Sequence, residues 1–146
     1  MRGIGHNSNI TVEVPDYGRN YIPYIDIGVS AGFASPAQDF MEVRVDLNEE
    51  LSQNKTTTFY IRVSGNSMIN AGIDDGDLLV VDRSLEPADG KVAICLIDGE
   101  FTVKRLKRDT GCLYLMPENP AFAPIKVSEE NQFTVWGIVT YVIKPL

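Results

Sequence analysis

The sequence predicts a mostly β fold, with one compact β domain behind an N-terminal arm. After residue 55, most apolar residues fall in short runs bounded by Gly, Pro, Asn or Asp, which is the pattern of strands joined by turns. The pair Asp98-Gly99 separates two of these runs and is a strong signal for a two-residue hairpin. The chain has 146 residues, which is enough for one domain with a substantial core.

The first part of the chain has the composition of an arm. Glycines and prolines interrupt it, and its two short apolar pieces, residues 10–14 and 24–27, alternate as edge strands do. It lacks the periodicity of stacked helices, which excludes a helix-turn-helix unit there. We therefore expect a flexible N-terminal arm over residues 1–40 and a folded β domain over residues 41–146.

One short helix is predicted over residues 47–52. Asp46 precedes it and can accept hydrogen bonds from the first-turn amides, and Glu49 completes a capping box three residues later. The rest of the domain is predicted to form strands, over residues 57–63, 77–82, 91–97, 100–106, 112–116, 123–127 and 133–143.

The charge balance argues against direct binding to nucleic acid. The formal net charge is −7 and the sequence pI is about 4.6, whereas proteins that bind a phosphate backbone cluster Lys and Arg. The basic run over residues 104–108 is interpreted as a solvated strand end. We expect no direct sequence-specific DNA binding by this chain.

Cysteine usage and hydropathy indicate a reducing compartment. Cys95 lies in an apolar run and is predicted to be a small core residue, and Cys112 is the other cysteine of the chain. Neither a disulfide framework nor a zinc site is indicated. The sequence also has no apolar signal-peptide core and no run long enough to span a bilayer. We expect a cytoplasmic protein with no membrane association, no metal and no cofactor.

Ser67 and Lys104 are the candidate catalytic residues. Ser67 follows Gly65-Asn66, where a strand pattern stops, and Lys104 lies inside a predicted strand. The single histidine, His6, lies in the arm, so a Ser-His-Asp triad, a zinc hydrolase and a Cys-His pair are all disfavoured. A hydrolase built on this sequence would therefore use a lysine or a carboxylate as its base.

A lysine can accept the serine proton only when it is neutral. The ordinary lysine pKa is about 10.4, and burial among apolar groups lowers it. Strand alternation places Lys104 on the same face as Thr102 and Leu106. The competing interpretation is that Ser67 is an ordinary turn serine and Lys104 an exposed strand lysine.

The turn before Ser67 suggests where a reaction intermediate would be stabilised. Gly65 and Asn66 allow the chain to turn and present the Ser67 hydroxyl. The backbone amides that follow, of Ser67 and Met68, could receive the developing oxyanion.

Three segments of the chain together resemble the LexA/UmuD family of self-cleaving serine peptidases. Residues 64–82 resemble the nucleophile segment of that family, and residues 98–106 resemble its lysine segment. Residues 30–37 are similar to the cleavage site of the UmuD branch. Two later blocks, residues 116–122 and 135–139, match as well, so the similarity spans roughly residues 22–144.

The resemblance implies the compact β domain shared by LexA and signal peptidases, with Ser67 as nucleophile and Lys104 as general base. It also implies that the bond between Ala31 and Gly32 is the one cleaved. The UmuD branch often has Cys before this Gly, whereas Ala31 agrees with the LexA-type repressors. Small residues at 30–32 would let the backbone approach the serine closely.

The resemblance further implies a role in the SOS response to DNA damage. A RecA nucleoprotein filament would promote self-cleavage. The shortened product would form a homodimer and join a UmuC-like subunit of a Y-family polymerase for error-prone translesion synthesis.

Three alternatives are compatible with parts of the pattern. A phage or plasmid LexA-like regulator without a DNA-binding headpiece is the nearest, because only 31 residues precede the expected bond and they are rich in Gly and Pro. A signal peptidase shares the Ser-Lys pair but needs a membrane anchor. An interaction module that has lost cleavage is weakly opposed by the presence of both Ser67 and Lys104.

Overall fold

The structure is a computed structural model that describes the backbone of residues 3–5, 10–13, 21–25 and 42–146, and the side chains from Asp46 onward. Within these ranges it contains eleven β-strands, one α-helix of five residues and one short 3-10 helix. The prediction of a mostly β fold with one short helix is confirmed. The predicted cleavage site, Ala31 and Gly32, lies outside the described residues.

A short α-helix separates two groups of strands. The strands before it are β1 (Gly3–Gly5), β2 (Ile10–Glu13), β3 (Tyr21–Ile25) and β4 (Glu42–Asp46). Helix α1 covers Leu47–Leu51, and Asp46 caps it by accepting a 2.9 Å hydrogen bond from the Asn48 amide. The strands after it are β5 (Thr58–Val63), β6 (Leu78–Asp82), β7 (Val92–Ile97), β8 (Glu100–Asp109), β9 (Cys112–Met116), β10 (Ile125–Val127) and β11 (Phe133–Ile143).

Nine strands form one sheet in the order β1-β2-β5-β6-β11-β7-β8-β9-β10, and every neighbouring pair is antiparallel. Strands β3 and β4 form a separate antiparallel pair. Strands β1 and β2 come from the predicted arm and join the large sheet through β5. The division into an arm over residues 1–40 and a domain over 41–146 stays a prediction.

Strands β7 and β8 form the predicted two-residue hairpin. Asp98 and Gly99 both have positive φ, of 49° and 82°, as a tight hairpin turn requires. The register that follows from this turn places Lys104 opposite Ala93. Strand β8 runs to Asp109, past its predicted end at residue 106, because its pairing with β9 continues to the next turn.

The sheet has an apolar cluster on each face. Ile94 on β7 belongs to the cluster that contains Ile61, Leu79 and Val103. Its neighbours in sequence, Ala93 and Cys95, belong to the other cluster with Leu106, Leu115 and Ile138. Successive strand residues point to opposite faces, so the middle of β7, Ala93 to Cys95, is buried on both faces of the sheet.

Strand β11 is irregular where it crosses the middle of the sheet. Its register with β7 shifts between Val135 and Gly137, and its register with β6 shifts between Val139 and Tyr141. Trp136, at the first shift, packs edge-on against Phe59 and Phe101, with ring centroids 5.2 and 6.0 Å away. Aromatic packing therefore ties this bulge to β5 and to the start of β8.

None of the helices in the described ranges has the length and apolar character needed to cross a lipid bilayer.

Candidate active site

Ser67 lies in a tight turn directly after strand β5. Gly65 adopts a positive φ of 100°, which is unfavourable for other residues, and its amide donates a 2.7 Å hydrogen bond to Asp75 Oδ1. The Asn66 carbonyl then accepts a 3.4 Å hydrogen bond from the Ile69 amide, which closes the turn across Ser67. The predicted turn is thus present, and it presents the Ser67 side chain.

The residue after the serine anchors this turn in the core. Met68 is 2% exposed and packs in the cluster with Ile61, Ile73 and Val103. The short 3-10 helix Ile69–Ala71 follows it directly. Because Met68 is buried, the backbone at Ser67 is held beside the sheet.

The serine turn lies beside the part of strand β8 that is not paired with β9. The β8–β9 ladder ends at the pair of Arg105 and Met116, so the earlier part of β8 has no β9 residue opposite it. The chain leaving β9 crosses to the serine turn, where the Glu118 amide donates a 2.8 Å hydrogen bond to the Ser67 carbonyl. This crossing segment places Ser67 next to the stretch of β8 that carries Lys104.

Lys104 Nζ lies 3.1 Å from Ser67 Oγ, so the structure brings the two predicted catalytic residues into hydrogen-bond contact. The amine also donates to Thr102 Oγ1 at 2.7 Å and to the Val103 carbonyl oxygen at 3.1 Å. Thr102 and Lys104 share a face of β8, as strand alternation predicted. Among the residues from Asp46 onward, no carboxylate contacts this amine.

Burial lowers the pKa of Lys104. The residue is 7% exposed, and an ammonium in such a place loses most of its hydration. Cys95, a fully buried neighbour, has its own thiol pKa raised by burial to about 12. The electrostatic effect of Cys95 raises the pKa of Lys104, but burial is the larger effect, so the pKa of Lys104 is lowered on balance.

The serine and the lysine open onto a cleft of about 230 Å³. Its polar lining comes from the serine turn and from Thr102 and Lys104 on β8, and its apolar lining includes Phe101 on β8 and Phe122. Phe122, which lines the cleft, is 46% exposed. The cleft therefore offers both polar groups and apolar surface beside the Ser67 hydroxyl.

The proposed oxyanion donors are available. Within residues 42–146 the amides of Ser67 and Met68 donate to no other group, whereas the next amide, of Ile69, is used within the turn. Their assignment as oxyanion donors stays a prediction. In the same part of the chain no group of three or more His, Cys, Asp or Glu side chains is placed to hold a metal ion.

Sequence reasoning missed two features of the site. It placed Thr102 on the face of Lys104 but did not assign it the short hydrogen bond to the amine. It noted residues 116–122 only as a similar block, whereas Glu118 and Asn119 bind the serine turn directly. The first could have been found from strand alternation; the second depends on long-range contacts that a single sequence does not reveal.

Residues 23–140 match the Peptidase S24-like family. The chain is 44% identical over 119 residues to protein ImpA of Salmonella typhimurium, covering 77% of each chain. It is 42% identical over 122 residues to protein MucA of Escherichia coli, covering 82% of each. It is also 39% identical over 116 residues to the LexA repressor of Bordetella pertussis, covering 80% of this chain and 53% of the repressor.

The family match covers more than half of the chain and includes both the serine turn and strand β8. The resemblance inferred from the sequence is confirmed: this chain belongs to the Peptidase S24-like family, as a UmuD-like member of the LexA/UmuD serine peptidases.

Proposed function

We propose that this chain is a self-cleaving peptidase in which Lys104 activates Ser67 to cut the bond between Ala31 and Gly32. The observation that carries the proposal is the 3.1 Å contact between Lys104 Nζ and Ser67 Oγ, made by a lysine residue that is only 7% exposed. A base within hydrogen-bond reach of the hydroxyl is what a serine needs in order to lose its proton as it attacks.

The neutral amine of Lys104 fits its three neighbours. It has two N–H donors and one lone pair, and the Thr102 hydroxyl and the Val103 carbonyl accept from the two donors. The lone pair is then left for the Ser67 hydroxyl, which donates to it. An ammonium would have three donors for the same three oxygens, so the site also accommodates the proton after transfer.

The reaction follows from this arrangement. Ser67 Oγ attacks the carbonyl carbon of Ala31 while its proton passes to Lys104, and the amides of Ser67 and Met68 receive the oxyanion. Lys104 then gives the proton to the departing nitrogen of Gly32, which leaves residues 1–31 as an ester on Ser67. Water, deprotonated by the same amine, hydrolyses the ester and restores the hydroxyl.

Tethering makes such a modest site sufficient. The segment to be cut belongs to the same chain, so attack is effectively unimolecular and needs no separate binding energy for a free substrate. Cleavage at Ala31–Gly32 would release residues 1–31, which include strands β1, β2 and β3, and leave the chain over residues 41–146 uncut.

We assign the cleavage to the SOS response. The support is membership of a LexA/UmuD peptidase family and the similarity to proteins ImpA, MucA and SamA. A RecA nucleoprotein filament stimulates the reaction, and the product forms a homodimer that serves a UmuC-like Y-family polymerase subunit in translesion synthesis. The net charge of −7 favours a role carried out through protein partners over direct binding to DNA.

The similarity to a LexA repressor favours a second candidate function, in which the same self-cleavage inactivates a regulator. Specific binding of the purified chain to an operator sequence would support this candidate. Binding to a Y-family polymerase subunit after cleavage would support the first.

The test is to incubate the purified chain with RecA, ATP and single-stranded DNA, and separately at alkaline pH, and to measure product masses. We expect two fragments, with a new amino terminus at Gly32. Ser67→Ala and Lys104→Ala are expected to stay uncut while remaining folded. Lys107→Ala is the matched control, because it removes a lysine from an exposed position of the same strand and should leave cleavage unchanged.

Processing of either Ser67→Ala or Lys104→Ala at the wild-type rate in purified form would refute the assignment of catalytic residues. Fragments with another terminus would keep the Ser-Lys pair and refute the cleavage site.

A further inference from the structure

Glu118 connects the serine turn to the strand that carries the lysine. It lies in the crossing segment after β9, half-buried beside both catalytic elements. Its main chain contacts the turn, and its side chain contacts the residue that follows Lys104.

The main-chain contacts hold the backbone on either side of Met68. The Glu118 amide donates to the Ser67 carbonyl at 2.8 Å, and the Glu118 carbonyl accepts from the Asn70 amide at 2.8 Å. Asn119 adds a third contact, from its side-chain amide to the Asn66 carbonyl at 2.9 Å. The distance between the serine turn and strand β8 therefore depends on the position of Glu118.

The contact between the side chains of Arg105 and Glu118 fixes the position of Glu118. Arg105 Nε donates to Glu118 Oε1 at 2.6 Å, and Arg105 Nη1 donates to the Gly90 carbonyl at 2.7 Å. The guanidinium is thus held between two fixed partners. Arg105 is also the first β8 residue with a β9 partner, so this ion pair lies at the end of the β8–β9 ladder that is nearest to Lys104.

The Arg105–Glu118 ion pair is too exposed for its main effect to be on the free energy of unfolding. Both side chains are about one-third exposed, at 37% and 32%, and ion pairs with that exposure contribute little to the free energy of unfolding. Its charge-assisted, short contact is better suited to fixing geometry. Self-cleavage is sensitive to geometry, because a displacement of about 1 Å between reacting groups can cost about a hundredfold in rate.

We propose that Arg105 and Glu118 are positioning residues that set the distance between Ser67 Oγ and Lys104 Nζ. The inference rests on the proposed function, since it assigns a purpose to that distance. Neither side chain touches the reacting atoms; both act through the main chain of the serine turn.

The first test measures alkaline self-cleavage of Arg105→Met, Glu118→Gln and the double variant. Each single variant is expected to lower the plateau rate at least about tenfold, with the alkaline midpoint unchanged because the amine keeps its contacts to Thr102 and Val103 on its own strand. The double variant is expected to be no slower than the slower single variant, because both changes break the same link. Lys55→Met, which breaks the exposed Lys55–Glu49 pair, is the matched control and should cleave normally.

The second test does not depend on cleavage. A thiol introduced by Ser67→Cys, in a Cys112→Ser background, lies beside the Lys104 amine, whose positive charge lowers the thiol pKa. Adding Arg105→Met is expected to shift the pH profile of iodoacetamide alkylation toward the ordinary thiol value. Cys95 does not interfere, because it is fully buried and its thiol pKa is about 12.

The outcomes separate this inference from the proposed function. Single variants that cleave within about twofold of the wild type, or a double variant whose loss is the product of the two, would overturn the positioning role. So would a shifted midpoint at an unchanged plateau, or an alkylation profile that Arg105→Met leaves in place. A wild-type chain that never cleaves refutes the proposed function, and the alkylation profile then still decides the geometry.

Discussion

Thr102 Oγ1 accepts a 2.7 Å hydrogen bond from Lys104 Nζ, and this contact is shorter than the 3.1 Å contact between the same amine and Ser67 Oγ. Both residues of the shorter contact belong to strand β8, so the amine is oriented by its own strand. Ser67 lies on a separate turn, outside strand β8. The proposed base, Lys104, is therefore oriented independently of the proposed nucleophile, Ser67.

Replacing Thr102 with Val should change both the rate of self-cleavage and its pH dependence. The substitution keeps the shape of the side chain and removes the oxygen that accepts from the Lys104 amine. We expect the plateau rate to fall about tenfold because the amine is less well oriented. The alkaline midpoint should move to lower pH, because the lost oxygen binds an ammonium more strongly than a neutral amine. Thr102→Ser keeps the hydroxyl and should retain most of the activity; equal losses in both variants would contradict this role.

The rate of spontaneous self-cleavage should rise with pH. Burial lowers the pKa of Lys104, and the neutral fraction of the amine grows about tenfold per pH unit below that pKa. The logarithm of the rate should thus climb with a slope near one and level off below the ordinary lysine pKa. Single-turnover cleavage followed by mass spectrometry from neutral pH to pH 10 measures this directly. A rate that does not change over that range would exclude a titrating lysine as the base.

Lys104→Met should stabilise the folded chain, and the gain should be largest at low pH within the folded range. The pKa of Lys104 is lowered in the folded state, so between that value and the ordinary one the unfolded chain holds a proton that the folded chain does not. Wild-type stability therefore rises with pH across this window, and the advantage of Lys104→Met shrinks. Urea unfolding at several pH values tests the trend. Lys107→Met is the matched control, because it removes an ammonium from an exposed position of the same strand. A gain that grows with pH would contradict the lowered pKa.

Gly137→Ala should destabilise the domain by about 1–3 kcal/mol through overpacking. A Cβ at position 137 would lie 2.6 Å from Val81 Cγ1, and Val81 is fully buried. Urea unfolding measures the change. In a Val81→Ala background the methyl group in question is gone, so the cost of Gly137→Ala should fall. If Gly137→Ala lowers the free energy of unfolding by the same amount in that background, the steric conflict does not involve Val81.

Much of the fold could be predicted from local signals. The Asp98-Gly99 turn and the run lengths around it place β7 and β8 correctly, because hairpin geometry depends on the turn residues themselves. The Asp46 cap marks the start of α1 for the same reason. Strand β1 was not predicted, because Gly3–Gly5 has almost no side chains from which a pattern could be read.

The site was predictable only in part. Ser67 and Lys104 were singled out by elimination and by family resemblance, and the structure places them in contact. The order of strands in the sheet and the path of the crossing segment after β9 depend on pairing between distant parts of the chain. For that reason Glu118 and Asn119 could not be assigned to the serine turn from sequence alone.

Lys104 has only neutral oxygens and a protonated thiol around it among the described side chains. The hydrogen-bond partners of this amine are thus uncharged, and none of them stabilises the ammonium form as a carboxylate would. Burial lowers the pKa of Lys104, so the fraction of molecules with a neutral amine depends on pH. Under the proposed function each chain is cut only once. A cleavage rate limited by the neutral fraction of the amine would let the intact protein persist until a cellular signal favours the cleavage-competent state.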